Sequence, residues 1–139
     1  MEIYESSGYE DTLALGRKLG ESLPAGSIIT LEGELGAGKT VFTKGVALGL
    51  GIDETVTSPT FTLLAVYEGG RLPLYHFDVY RIEEPEEMLE VGLDEYLYGD
   101  GICVIEWAER IEELLPADCL RISIEKDMTK GGDYRRIRI

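Results

Sequence analysis

Gly33-Glu34-Leu35-Gly36-Ala37-Gly38-Lys39-Thr40 places a glycine, four residues and then Gly-Lys-Thr in a row, the spacing that cradles a chain of phosphates. Glycines at 33, 36 and 38 let the main chain turn tightly and aim successive N–H groups into a nest for anionic oxygens, where a side chain would obstruct them. Lys39 has the reach for β- and γ-phosphates, and Thr40 offers a hydroxyl to Mg²⁺. The metal also needs an acid. Glu106 ends the apolar run Gly101-Ile102-Cys103-Val104-Ile105. A buried parallel strand delivers such an acid to the C-terminal edge of its sheet, beside the phosphate loop, with Glu here in place of the commoner Asp. Asp78, on another largely apolar stretch, needs a partner or a cation to offset its burial. It is the candidate water-positioning carboxylate or contact to the magnesium shell.

The flanking segments are those that would hold the loop in place. Ser27 to Leu31 reads as a short buried strand and Val41 to Leu50 as a helix closed by Gly49 and Gly51, an order that turns the positive end of a helix toward phosphate. Ser7-Gly8-Tyr9-Glu10 has the Ser-x-x-Glu form of a capping box, and Leu15, Leu19 and Leu23 recur behind it, so a helix is expected from about residue 8 to 23. Tyr9 is either a hydrophobic staple at that helix entry or a lid over the base of a nucleotide. Thr60 to Val66 and Leu72 to Arg81 read as the strands of an antiparallel hairpin joined by Tyr67-Glu68-Gly69-Gly70-Arg71, since the paired glycines suit a turn. Alternation puts Leu74, His76, Asp78 and Tyr80 on one face of the second strand. His76 reads there as a hydrogen-bonded structural residue, whose loss costs mainly stability, or as a second titratable group of the site. Ser58-Pro59-Thr60-Phe61 follows the place where nucleotide switches put a hydroxyl that senses the γ-phosphate, and equally suits a turn before a strand.

Farther on, a helix from Pro85 to Glu90 breaks at Gly92 before a second turn from Leu93 to Tyr98. Trp107 belongs to the core or to an interface. A short helix from Ala108 to Leu115, with Ile111, Leu114 and Leu115 inward, leads to a closing hairpin of Leu120 to Glu125 and Arg135 to Ile139. The fold class implied is α/β: a phosphate-loop nucleotide-binding fold whose central sheet is mixed, antiparallel hairpins added to a parallel core, flanked by helices.

At 139 residues one domain spanning 1–139 is expected, with no room for a separate substrate domain. No apolar run approaches the 18 or so residues of a membrane span, and Met1 to Glu5 lacks the regions of a signal peptide, so no membrane partner and a cytoplasmic location are expected. Cys103 and Cys119 have no metal-binding or redox spacing and read as buried, reduced thiols. The net charge of −14 argues against direct nucleic-acid binding. From Glu83 to Glu113 the acidic residues are opposed by Arg110 alone, whereas Arg121 to Arg138 is basic. That acidic stretch is a set of solvated helix faces or a docking face for a basic partner.

The chain lacks the Asn/Thr-Lys-x-Asp and Asp-x-x-Gly elements of guanine-specific switches, which favours ATP over GTP. Three uses of the loop stay open on the residues alone: an ATPase, a small-molecule kinase with Arg71 or Arg81 in the part of a lid arginine, and a nucleotide-gated binding module that never hydrolyses.

The phosphate loop, Ser58-Pro59-Thr60-Phe61, His76-Phe77-Asp78-Val79-Tyr80-Arg81 and Glu106-Trp107, in this order and spacing, resemble the bacterial tRNA threonylcarbamoyladenosine biosynthesis ATPases, the TsaE (YjeE) family, over nearly the whole chain. The resemblance implies a weak Mg²⁺-dependent ATPase whose partners are the TsaD and TsaB proteins. Position by position it implies Glu34, Leu35, Gly36, Ala37, Gly38, Lys39, Thr40 and Val41 around the phosphates, Tyr9 near the adenine, and Thr40 and Glu106 on magnesium. It assigns catalysis to Asp78, Glu106 and Lys39. It implies roles in switching or partner contact for Ser58, Thr60, His76, Tyr80, Arg81 and Trp107. Val41 departs from relatives that carry a second Thr there, which removes a hydroxyl beside the α-phosphate.

Overall fold

The structure, a computed structural model, describes residues 2–34, 36–57 and 63–139. Seven strands form one sheet: β1 (Ile3–Ser6), β2 (Ile28–Glu32), β3 (Leu64–Tyr67), β4 (Leu74–Asp78), β5 (Ile102–Glu106), β6 (Leu120–Lys126) and β7 (Arg135–Arg138), in the spatial order β1-β7-β6-β2-β5-β4-β3. β6, β2, β5 and β4 run parallel, while β3 at one edge and β7 and β1 at the other are antiparallel to their neighbours. This is the mixed sheet expected. β5 lies between β2 and β4 and all five of its residues are buried, which is why it reads as an unbroken apolar run.

Helices α1 (Tyr9–Ser22) and α2 (Lys39–Leu50) cover one face, with Phe42, Val46 and Leu50 packed on Ile29, Leu31, Val104 and Ile122. The short helices α3 (Glu87–Val91) and α4 (Leu93–Leu97) cover the other, where Met88, Leu93 and Leu97 meet Phe77, Cys103 and Ile105. Gly92 sits between them with φ of +90°, the break expected from the sequence. The segment Ala108–Leu114 is a 3₁₀ helix interrupted at Ile111, not the regular short helix expected, and the interruption accompanies full burial of Ile111.

Three local expectations change. Helix α1 is not opened by a Ser7–Glu10 capping box: Asp11 reaches back to accept the Ser7 N–H at 2.9 Å and its hydroxyl at 2.7 Å, and among the described residues no side chain accepts a helix N–H at the Gly8 cap. Its deepest stripe is Thr12, Gly16 and Gly20 rather than the leucines, which are only partly buried. Gly49 does not close α2 but lies within it, against α1: a Cβ added there would stand 2.1 Å from the Arg17 carbonyl oxygen. The helix is closed by Gly51, at φ +81°. β1 was not foreseen. It is a four-residue edge strand with three exposed residues, and its pairing comes from β7 at the far end of the chain, so its own side chains carry little periodic signal.

Candidate functional site

The loop leaves β2 at Gly33 and enters α2 at Lys39. Gly36 and Gly38 take φ of +79° and +109°, where a side chain is strained. Gly33 serves close approach instead of turning, since a Cβ there would lie 2.7 Å from the Ile124 carbonyl oxygen. Ala37 is buried and its N–H turns back to the Glu34 carbonyl at 3.0 Å. Leu35 lies outside the described residues. Helix α2 begins where the loop ends, with Lys39 and Thr40 on its first turn, and the start of a helix offers N–H groups to an anion.

Two cations not foreseen stand beside the loop. Arg135, on β7, donates from Nε to the Ala37 carbonyl at 2.8 Å and from Nη2 to the Gly36 carbonyl at 3.3 Å. It therefore takes up the loop's carbonyl oxygens, and the N–H side is left for an anion. The Lys126 ammonium lies 3.3 Å from where a Cβ on Gly36 would be. The basic stretch Arg121 to Arg138 in an acidic chain was the available signal, but only the β6–β7 hairpin shows that it folds back onto the loop.

The acids meet the loop from the adjoining strands. Glu106 is 4% exposed. Its Oε1 lies 3.6 Å from Lys39 Nζ and its Oε2 lies 2.7 Å from His76 Nε2. Asp78 pairs in register with Glu106 across β4 and β5. It is 8% exposed, and its Oδ1 accepts the Tyr80 N–H at 3.0 Å, so its own turn supplies the partner that burial demands. Among the described residues no three His, Cys, Asp or Glu side chains group as a metal cage. A divalent ion held by Thr40 and Glu106 would take most of its oxygens from phosphate and water, as Mg²⁺ prefers.

An aromatic shelf follows. Trp107 takes the left-handed φ of +63°. The Lys39 ammonium stands 5.0 Å from its ring centroid, the Tyr80 ring 4.7 Å away, and Arg110 stacks 4.9 Å over Tyr80. Tyr80 and Arg81 are exposed, whereas His76 is fully buried and available to no partner protein. Arg71 donates to the Gly20 and Leu23 carbonyls at 2.7 and 2.9 Å; it caps the end of α1 and is no lid. Tyr9, Gly36, Gly38, Val41, Asp133 and Arg135 line a pocket of about 200 Å³, which brings Tyr9 to the outer side of the loop. A larger cavity of about 630 Å³ on the Lys39 side is lined by Glu32, Glu34, Trp107 and Lys126 among others. Ser58 and Thr60, like the start of the expected hairpin strand, lie outside the described residues.

Comparison with known proteins follows the same outline. A family model described as threonylcarbamoyl adenosine biosynthesis protein TsaE matches residues 6–137. The chain is 51% identical over 128 residues to the tRNA threonylcarbamoyladenosine biosynthesis protein TsaE of Bacillus subtilis (strain 168), covering 92% of this chain and 78% of that protein. It is 53% identical over 119 residues to the protein of the same name from Treponema pallidum (strain Nichols), covering 86% and 87%. The crystal structure of Bacillus subtilis YdiB superposes with a TM-score of 0.83 at 44% identity, covering 98% of this chain and 82% of that one. The chain thus belongs to the TsaE family of threonylcarbamoyl adenosine biosynthesis proteins.

Proposed function

We propose that this chain binds ATP with Mg²⁺ at the glycine loop, hydrolyses it slowly, and by doing so supports tRNA threonylcarbamoyladenosine formation together with the TsaD and TsaB proteins. The observation that carries the reading is the meeting of Lys39 and Glu106, 3.6 Å apart at the mouth of a glycine loop. The two residues come from different elements, and the sequence separates them widely. Family membership supports the pathway, and the residues on the loop support the nucleotide.

The chemistry is phosphoryl transfer to water, in which positioning and electrostatics supply nearly all of the catalysis. Main-chain N–H groups of Gly36 and of Gly38 to Thr40 hold phosphate oxygens, the Ala37 N–H being taken by the Glu34 carbonyl, and Lys39 turns from Glu106 to neutralise their charge. Thr40 and Glu106 would hold a magnesium ion, which would screen the charge that develops on the transferred group. Asp78, fixed by its bond to the Tyr80 N–H, orients the attacking water; Thr60 is the other candidate for that task. Tyr9, which lines the pocket beside Gly38 and Val41, would meet the adenine.

Calorimetry with Mg·ATP and phosphate release without any added acceptor test the reading together. Binding and slow release are expected, with both lost in Lys39→Ala and the magnesium-dependent release lost in Glu106→Ala. Heat without release would leave a binding module; release only with an acceptor would make the chain a kinase. No heat at all would remove the nucleotide from the account.

A further inference from the structure

We propose that His76 is a positioning residue for Glu106, fixing one oxygen of its carboxylate so that the other stays turned to the loop for magnesium. The proposal rests on the Mg·ATP reading of the site. His76 and Glu106 stand on neighbouring parallel strands, with Asp78 and Glu106 in register, so the imidazole lies one same-face step back from the carboxylate. The two oxygens are divided between different partners: Oε2 receives His76 Nε2–H at 2.7 Å, and Oε1 faces Lys39 at 3.6 Å. When Lys39 turns to phosphate, Oε1 loses its cation while Oε2 keeps its donor. The carboxylate therefore stays in place with one oxygen free toward the loop, where without the imidazole it could rotate after the departing ammonium.

A second observation separates this role from plain packing. His76 is fully buried, and its Nδ1 has no hydrogen-bond partner among the described residues. An unsatisfied buried polar atom lowers stability. On the same face of β4, two residues away, Leu74 is equally buried with no polar atom to satisfy, so packing alone does not call for an imidazole at 76. What the imidazole adds at this position is the donor to Glu106. Such outer contacts orient metal ligands, and their loss lowers metal affinity by about 10- to 100-fold.

The test is a magnesium titration, by calorimetry and by thermal shift, of the whole chain saturated with a non-hydrolysable ATP analogue. Wild type is compared with His76→Leu, which fills the space without a donor, and with His76→Gln, whose amide N–H₂ can replace the Nε2–H. Expected is a rise of about tenfold or more in the magnesium midpoint for His76→Leu and recovery to within about threefold for His76→Gln. Nucleotide affinity without metal should be equal in all three. Circular dichroism and urea unfolding establish that each variant is folded. A folded His76→Leu chain with the wild-type midpoint, or equal loss in the Leu and Gln variants, would overturn the proposal. A wild-type chain whose nucleotide binding ignores magnesium would overturn the Mg·ATP reading instead, so the two failures are distinct.

Discussion

Lys39 is held in two ways at once, by the Glu106 carboxylate at 3.6 Å and by the face of the Trp107 ring at 5.0 Å. Binding of a phosphate chain has to draw it from both, and a cation over an indole is worth about 0.5–2 kcal/mol. Trp107 is the only tryptophan of the chain, and its left-handed backbone costs of the order of 1–3 kcal/mol that its surroundings must sustain. Tryptophan emission should therefore change saturably as Mg·ATP is added. Lys39→Ala should start from a different spectrum without nucleotide and respond to none. A wild-type spectrum indifferent to saturating Mg·ATP would mean that the ammonium stays over the ring. Cys103 supplies a prediction of another kind. Burial pushes its thiol up to about 12, with Cys119 nearby adding to the rise. The folded chain thus keeps a proton that the unfolded chain gives up near pH 9, and stability falls as pH rises from there toward 12. By about 1.4 kcal/mol per pH unit, the gap between wild type and Cys103→Ala should narrow over that window in urea unfolding. Parallel curves would show the thiol ionising freely in the fold. A thiol reagent at pH 8 should modify Cys119 well before Cys103.

At the scale of elements, the proposed phosphate site depends on how closely α1 and α2 approach, since α2 begins at Lys39. Gly16 and Gly20 of α1 face Gly45 and Gly49 of α2, and at each of the four an added Cβ would stand within 2.1 to 2.3 Å of a carbonyl oxygen of the opposite helix. Alanine at 49 would gain about 1 kcal/mol in helix propensity but would have to push two backbones apart, a cost of about 1–3 kcal/mol or more. Gly49→Ala should be less stable by roughly 1 kcal/mol or more and should bind Mg·ATP more weakly, because the displaced α2 carries the loop's Lys39 and Thr40 with it. A variant as stable as wild type would mean that the helices accommodate the methyl without separating. The sequence reading took Gly49 for a helix terminator, because glycine by itself signals a break, and only the neighbouring helix distinguishes a break from a contact. The same limit hid β1 and Arg135. Their partners, β7 and the loop carbonyls, lie far away along the chain. Where the signal was local it was legible: the loop, β5 as an unbroken apolar run, and the α3–Gly92–α4 break are all written in consecutive residues.

For the whole molecule the governing quantity is the charge of −14. The stretch from Arg121 to Arg138 gathers six of the chain's 13 cations. Folded, it is committed elsewhere. Arg121 pairs with Glu112, Arg136 with Asp127, Arg138 with Glu125 and Lys130 with Glu5, while Arg135 holds the loop carbonyls. Surface pairs of this kind add little stability, about 0–1 kcal/mol each, but they cancel the local field that nonspecific nucleic-acid binding requires. Such binding grows from neutralising phosphates with free lysine and arginine and reaches dissociation constants of about 10⁻⁴–10⁻⁶ M at physiological salt; a chain with paired cations and a large negative excess falls short of that. Fluorescence anisotropy of labelled tRNA should stay flat up to tens of micromolar of the isolated chain at about 0.15 M salt, with or without Mg·ATP. It should rise only when the proposed TsaD and TsaB partners are present to carry the tRNA contact. Saturable binding by the chain alone, weakening steeply as salt is raised, would show that the paired cations open to phosphate and that its role in tRNA modification includes the RNA directly.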